Sequence, residues 1–67
     1  MKNRIRLLRA EKGWSQSELA DRVGVSRNSI NSVENGKFDP SLPLAFRIAH
    51  AFGLAVEDVF DKDDAFR

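Results

Sequence analysis

Gln16-Ser-Glu-Leu-Ala-Asp-Arg-Val-Gly24-Val-Ser-Arg-Asn-Ser-Ile30-Asn-Ser-Val-Glu-Asn35 decides the fold. Two apolar patterns at helical spacing flank a single glycine. Ser15 precedes the first, with Glu18 three residues later. That is capping-box spacing, in which serine and glutamate each satisfy an orphan backbone N–H. Leu19, Ala20 and Val23 share one face of this helix. Gly24 permits the positive φ of a sharp turn. Ser26 is placed to cap the next helix, and Val25 to pack on Ile30 as a hydrophobic staple. Ile30 and Val33 then face inward, and Ala20 is small enough for the two helices to pack closely. The spacing predicts two short helices folded across a tight turn, a helix-turn-helix.

The same punctuation extends outward. Asn3 is a candidate N-cap for a first helix over Arg4 to Lys12, which carries Ile5 and Leu8 and stops at Gly13. After Asn35-Gly36 comes a loop with Asp39-Pro40. Ser41 can cap a fourth helix, where Pro43 is tolerated in the first turn. Leu44, Ala45, Ile48, Ala49 and Phe52 form its apolar stripe, and Gly53 ends it. A short fifth helix is predicted from Val56 to about Phe60, with Glu57 and Asp58 in the first turn, where the helix dipole favours them. Ala55 offers no capping oxygen. A missing cap costs about 1 kcal/mol, so this helix is expected to be loosely held until a partner packs on it. No strand-like alternation appears. The fold class is therefore all-α with five helices: residues 1–60 form one domain and residues 61–67, with Asp61, Asp63 and Asp64, a short acidic tail.

Composition narrows the function. Sixty-seven residues suit one small domain. A chain of this size buries only about 60% of its unfolded surface, so helix packing and self-association are the expected sources of stability. There is no cysteine and only one histidine, His50, so thiolate metal sites and disulfides are excluded and a zinc site is not expected. The Asp61 to Asp64 run lacks the glycine and final glutamate of a calcium loop. No serine–histidine–acid set, glycine-rich phosphate loop or paired-carboxylate cleft can be assembled, so no enzyme and no cofactor are expected. No apolar run approaches the roughly 20 residues that span a bilayer. No apolar stretch follows the charged N-terminus, so no signal peptide is read and a cytoplasmic location is expected. Trp14 reads as a core anchor between the first two helices, and Phe46 as a cover for the loop at Phe38.

Charge distribution and one helix face point to a partner. Seven basic and four acidic side chains lie in residues 1–36, against four and six in 37–67, so the halves carry +3 and −2. A basic front with an acidic back suits a polyanion on one side. On the third helix, Arg27, Asn28, Asn31, Ser32 and Asn35 turn outward. Asparagine and serine are mediocre helix formers. Their short amides and hydroxyls are, however, suited to hydrogen bonding base edges and phosphates, which points to a reader of the DNA major groove.

The sequence resembles the helix-turn-helix family of phage Cro and repressor proteins, the XRE family. The matching segments are Ile5-Arg-Leu-Leu-Arg9, Gly13-Trp-Ser-Gln-Ser-Glu-Leu-Ala20, Val23-Gly-Val-Ser-Arg-Asn-Ser-Ile30, Val33-Glu-Asn-Gly-Lys37, Asp39-Pro-Ser41, Ala45 to Gly53 and Val56-Glu-Asp-Val-Phe60. They span about residues 4–60. The resemblance implies a five-helix phage-repressor-like domain that binds double-stranded DNA. It implies base contacts at Arg27, Asn28, Asn31 and Ser32, and phosphate contacts at Gln16, Ser29, Asn35 and Lys37. Gln16 would also brace the recognition helix. Arg9 and Glu34 match a structural ion pair between the first and third helices. Asn28 stands where many relatives have glutamine; being one methylene shorter, it requires a deeper helix or a bridging water.

One such helix reads only a handful of base pairs, so a homodimer on a palindromic operator is expected, with half-sites roughly 34 Å apart. Leu54, Val56, Phe60 and Phe66 are candidates for its surface, with plain core packing as the other reading, favoured for Phe60. The function expected is sequence-specific transcriptional regulation, as a repressor. Two alternatives stay open: an antitoxin that binds both DNA and a protein toxin, and a protein-interaction module that has lost DNA binding.

Overall fold

The structure, a computed structural model, describes residues 2–61. Five helices follow in order: α1 (Ile5–Lys12), α2 (Gln16–Val23), α3 (Arg27–Glu34), α4 (Leu42–Phe52) and α5 (Val56–Val59). Serine caps open three of them. Ser15, Ser26 and Ser41 each hold an extended φ/ψ, and each side-chain oxygen accepts from the backbone N–H three residues on. Of the box predicted at α2, only the serine half forms among the described residues: Ser15 Oγ accepts from Glu18 N–H at 3.0 Å.

The helices close around one apolar core. Ile5, Leu19, Ile30 and Ile48 are fully buried, and Ala20, Val23, Val33, Ala49, Phe52, Val59 and Phe60 are nearly so. Every residue of the predicted α4 stripe is in this core. Ala20 lets α3 approach α2 across the turn, and Gly24 (φ +76°) sits at its apex. A Cβ there would meet only the Arg47 guanidinium at 3.7 Å, so glycine is needed for its backbone angle and not for space. Trp14 is half-buried: its ring stacks on Phe52 (centroids 5.4 Å apart) and carries the Arg22 guanidinium 4.1 Å from the ring centroid. Phe46 lies one position past Ala45, off the buried stripe, and both it and Phe38 are half or more exposed.

The chain ends depart from expectation. Arg4, not Asn3, occupies the N-cap position of α1, without a side-chain cap bond. Asn3 instead bridges: its Oδ1 accepts from Ile5 N–H at 3.1 Å and its Nδ2 donates to the Val33 carbonyl at 2.8 Å. The α5 helix is held more firmly than its missing cap implied. Arg4 N–H donates to the Val59 carbonyl at 2.8 Å, Asp61 N–H donates to the Lys2 carbonyl at 2.9 Å, and Asn3 pairs with Phe60 in an antiparallel bridge. The Asp58 carboxylate also accepts from Ala55 N–H at 3.3 Å. The N-terminal residues thus clasp the end of the domain.

Candidate nucleic-acid interface

The amphipathic pattern of α3 fixes what it can present. Ile30 and Val33 anchor one side in the core, so Arg27, Asn28 and Asn31 are turned to solvent. Ser32 and Ser29 are half-buried. The Ser29 hydroxyl pairs with Ser26 Oγ at 3.0 Å, extending the cap. Asn28 makes no side-chain hydrogen bond among the described residues. Lys37 is exposed on the loop after α3, where its backbone N–H donates to the Ser32 carbonyl at 3.0 Å.

A polar network ties this face to α1 and α2. Arg9 and Glu34 form a bidentate ion pair: Nε to Oε1, and Nη2 to Oε2 at 3.2 Å. The Glu34 side chain is 1% exposed and that of Arg9 14%, so the pair is largely shielded from water. Arg9 Nη1 also donates to the Trp14 carbonyl at 2.9 Å, which fixes the α1–α2 connection. Burial would raise the carboxyl pKa of Glu34. Hydrogen bonds from Arg9 and Gln16, with the charges of Arg9 and Arg6, outweigh it and hold the group below the usual carboxylate range.

From Glu34 the network runs outward. Gln16 Nε2 donates to Glu34 Oε2 at 2.8 Å and to Asn31 Oδ1 at 3.1 Å. Arg27 Nη1 donates to Gln16 Oε1 at 3.4 Å. Asn35 Nδ2 donates to Asn31 Oδ1 at 3.3 Å, and Arg6 Nη2 to Asn35 Oδ1 at 3.2 Å. The structure therefore brings Gln16, Arg27, Asn31 and Asn35 together with the Arg9–Glu34 pair. Ser29 and Lys37 stand apart from this network. Sequence reasoning missed Arg6 as its outer end. The available signal was weak: Arg6 and Arg9 lie three apart on one helix, and Asn31 and Asn35 four apart on another.

The late apolar residues separate. Phe60 is 4% exposed and belongs to the core, because the N-terminal clasp draws it inward; it is not a surface candidate in this chain. Leu54 is exposed and Val56 half-buried. Phe66 lies outside the described residues. His50 is solvent-exposed, and no group of three or more metal-ligating side chains occurs among the described residues. No helix is long and apolar enough to cross a membrane, again among the described residues.

Comparison with known proteins gives a consistent picture. The helix-turn-helix family model matches residues 5–59. An HTH-type transcriptional regulator of Methanocaldococcus jannaschii is 48% identical over 64 residues, covering 96% of this chain and 97% of that protein. The biofilm master regulator SinR, solved in complex with DNA, superposes with a TM-score of 0.73 at 34% identity, covering 81% of this chain and 87% of that one; its N-terminal DNA-binding domain comes from Bacillus subtilis. The antitoxin HipB of Escherichia coli is 33% identical over 54 residues, covering 81% of this chain and 61% of HipB. With five helices, α2 and α3 forming the motif, and matches along nearly its whole length, the chain belongs to the XRE-type helix-turn-helix family.

Proposed function

We propose that the chain is a sequence-specific, double-stranded DNA-binding regulator of transcription, acting as a repressor. The observation that carries this reading is α3: its apolar side is sealed in the core while Arg27, Asn28 and Asn31 are exposed on the other. In this reading α3 enters the major groove, where arginine donates to guanine O6 and N7 and amides pair with complementary base edges. Ser29, Asn35 and Lys37 hold phosphates, which fixes register without reading sequence. Both Nε2 hydrogens of Gln16 are taken by Glu34 and Asn31. Its phosphate contact therefore runs through the backbone N–H, one of the unpaired donors at the start of α2. Arg9 and Glu34 read nothing; they set the pose of α3.

A single α3 covers too few base pairs to single out one site, so two copies act together on a palindrome, meeting through Leu54 and Val56. Selection of bound duplexes from a random pool tests this. The expected result is an enriched half-site repeated about one helical turn away, roughly 34 Å. Absence of any enrichment would refute DNA reading. The antitoxin reading rests on the likeness to HipB, which this chain matches over only part of HipB's length.

A further inference from the structure

We infer that Asn31 reads DNA as a donor only, selecting a major-groove acceptor, guanine foremost, and rejecting adenine. The inference rests on the proposal that the outer face of α3 meets base edges. An exposed asparagine is ordinarily ambidextrous: its amide can turn either end outward, and pairing with adenine N6 and N7 needs both an acceptor and a donor. Asn31 does not have that freedom, because its neighbours fix its polarity from two sides.

The first side begins at Glu34. A carboxylate only accepts, so the end of Gln16 that lies 2.8 Å from Glu34 Oε2 must be its NH₂. The second hydrogen of that NH₂ points at Asn31, 3.1 Å away, and so must meet an oxygen. The Gln16 carbonyl is left for Arg27, a pure donor, which agrees with the same orientation. The second side begins at Arg6. A guanidinium only donates, so it must meet the Asn35 oxygen. Asn35 then presents its NH₂ to Asn31, again requiring an oxygen there. Two independent chains, one starting at a carboxylate and one at a guanidinium, end on the same atom. Asn31 Oδ1 accepts from both, and Nδ2 donates to nothing among the described residues. Turning the amide over would set NH₂ against NH₂ at two contacts.

What Asn31 offers to a groove is therefore an NH₂ group. Guanine answers it with two acceptors, O6 and N7. Thymine offers O4 alone. Adenine sets its own N6 donor beside N7, and cytosine presents only the N4 donor. Glu34 is thus a positioning residue for specificity although it touches no base.

Duplex selection with the wild type and Asn31→Asp gives the test. Asn31→Asp keeps the oxygen facing Gln16 and replaces the outward donor by an acceptor. One position of each half-site should change from guanine in the wild type to cytosine in the variant. At that position a wild-type duplex carrying adenine should bind about ten-fold or more weakly than guanine. Placing 7-deazaguanine there should also weaken binding. Arg9→Met combined with Glu34→Leu, which leaves Gln16 no acceptor at position 34, should shrink the guanine-over-adenine ratio. If adenine or cytosine is selected by the wild type, or if Asn31→Asp leaves every preference unchanged, the inference fails while DNA reading stands. A second measurement needs no DNA and no variant. In the free wild-type protein, NMR couplings across hydrogen bonds should link Gln16 Nε2 to the side-chain carbonyl carbons of Asn31 and Glu34. A coupling from Asn31 Nδ2 to Gln16 would overturn the polarity directly.

Discussion

Replacing Glu34 with glutamine should destabilise the domain by about 2–3 kcal/mol. Removing one partner of a buried ion pair costs about 3–5 kcal/mol when the other charge is stranded. Three features reduce that figure here. Arg9 retains its bond to the Trp14 carbonyl and some contact with water, and a glutamine oxygen in the place of Oε2 still accepts from both Arg9 Nη2 and Gln16, losing only the bond from Arg9 Nε. At about 0.05–0.15 kcal/mol per residue, a chain of this length has only about 3–10 kcal/mol in total, so the loss is a large share. At 4–8 °C per kcal/mol, the melting temperature should fall by about 10–20 °C. Far-UV circular dichroism and Trp14 fluorescence would follow the transition. Acid gives a second, independent check. The Glu34 carboxyl is held below its ordinary range in the folded state, so its stabilisation is complete above about pH 4.5 and is lost as pH falls through the folded value. The gap between wild type and variant should therefore be full at pH 7 and close on acidification. Arg9→Met combined with Glu34→Leu should recover much of the loss, since neither partner is then stranded. Equal melting at pH 7, or a gap undiminished at pH 3, would refute the claim that this pair holds α3 to α1.

Lys37→Ala should weaken binding to all duplexes alike and lower the slope of log affinity against log salt by about 1; an unaltered slope would remove the phosphate contact. Gly24→Ala should cost about 1–2 kcal/mol in urea denaturation, because it places a Cβ in the left-handed region; a neutral result would show that the turn can relax. Phe60→Ala should cost about 3–5 kcal/mol of folding stability as a core truncation. Leu54→Ala should instead leave the melt nearly unchanged and weaken self-association in sedimentation experiments; no change in association would move the dimer surface elsewhere. Asn28→Ala should relax base preference at one position of each half-site without lowering the melting temperature, and an unchanged preference would count against base reading.

The helices were legible because their signals are local. Serine caps at Ser15, Ser26 and Ser41 and glycine stops after the apolar stripes depend on residues within one or two turns, and the structure follows them. The Asn3 role was legible only in part: its oxygen does accept from the first-turn N–H of Ile5, but its second tie was not foreseen. A cap and a tie to Val33 require the same residue type, and only the folded chain brings a carbonyl from 30 positions away. Phe60 was ambiguous for a related reason. An apolar residue at the end of a short helix suits core or surface, and the isolated bridge to Asn3 that accompanies its burial has no periodic signature. On the reader helix, Arg27, Asn28 and Asn31 could be placed outward by spacing alone. Which end of each amide faces outward could not, because that depends on Gln16, Glu34, Arg6 and Asn35 meeting from three helices and the end of α3.

Why α3 is a helix at all follows from the same separation of faces. Asn28, Ser29, Asn31 and Ser32 together cost roughly 2–3 kcal/mol of helix propensity relative to alanine. Eight residues are also too few to hold a helix alone in water. Full burial of Ile30 and Val33 offsets this by about 3–6 kcal/mol, and the Ser26 cap by about 1 kcal/mol more. The helix therefore exists because of its inner side, and its outer side is left for the proposed reading of bases. Substitutions at Asn28 should change specificity at little cost in stability, whereas those at Ile30 should unfold the domain without altering what the folded fraction recognises. Glu34 breaks this division. Its carboxylate both pairs with Arg9 and orients Gln16, so a change there should alter folding and base preference together. A variant set that separated the two effects at Glu34 would show that the orienting role belongs to another group in the network.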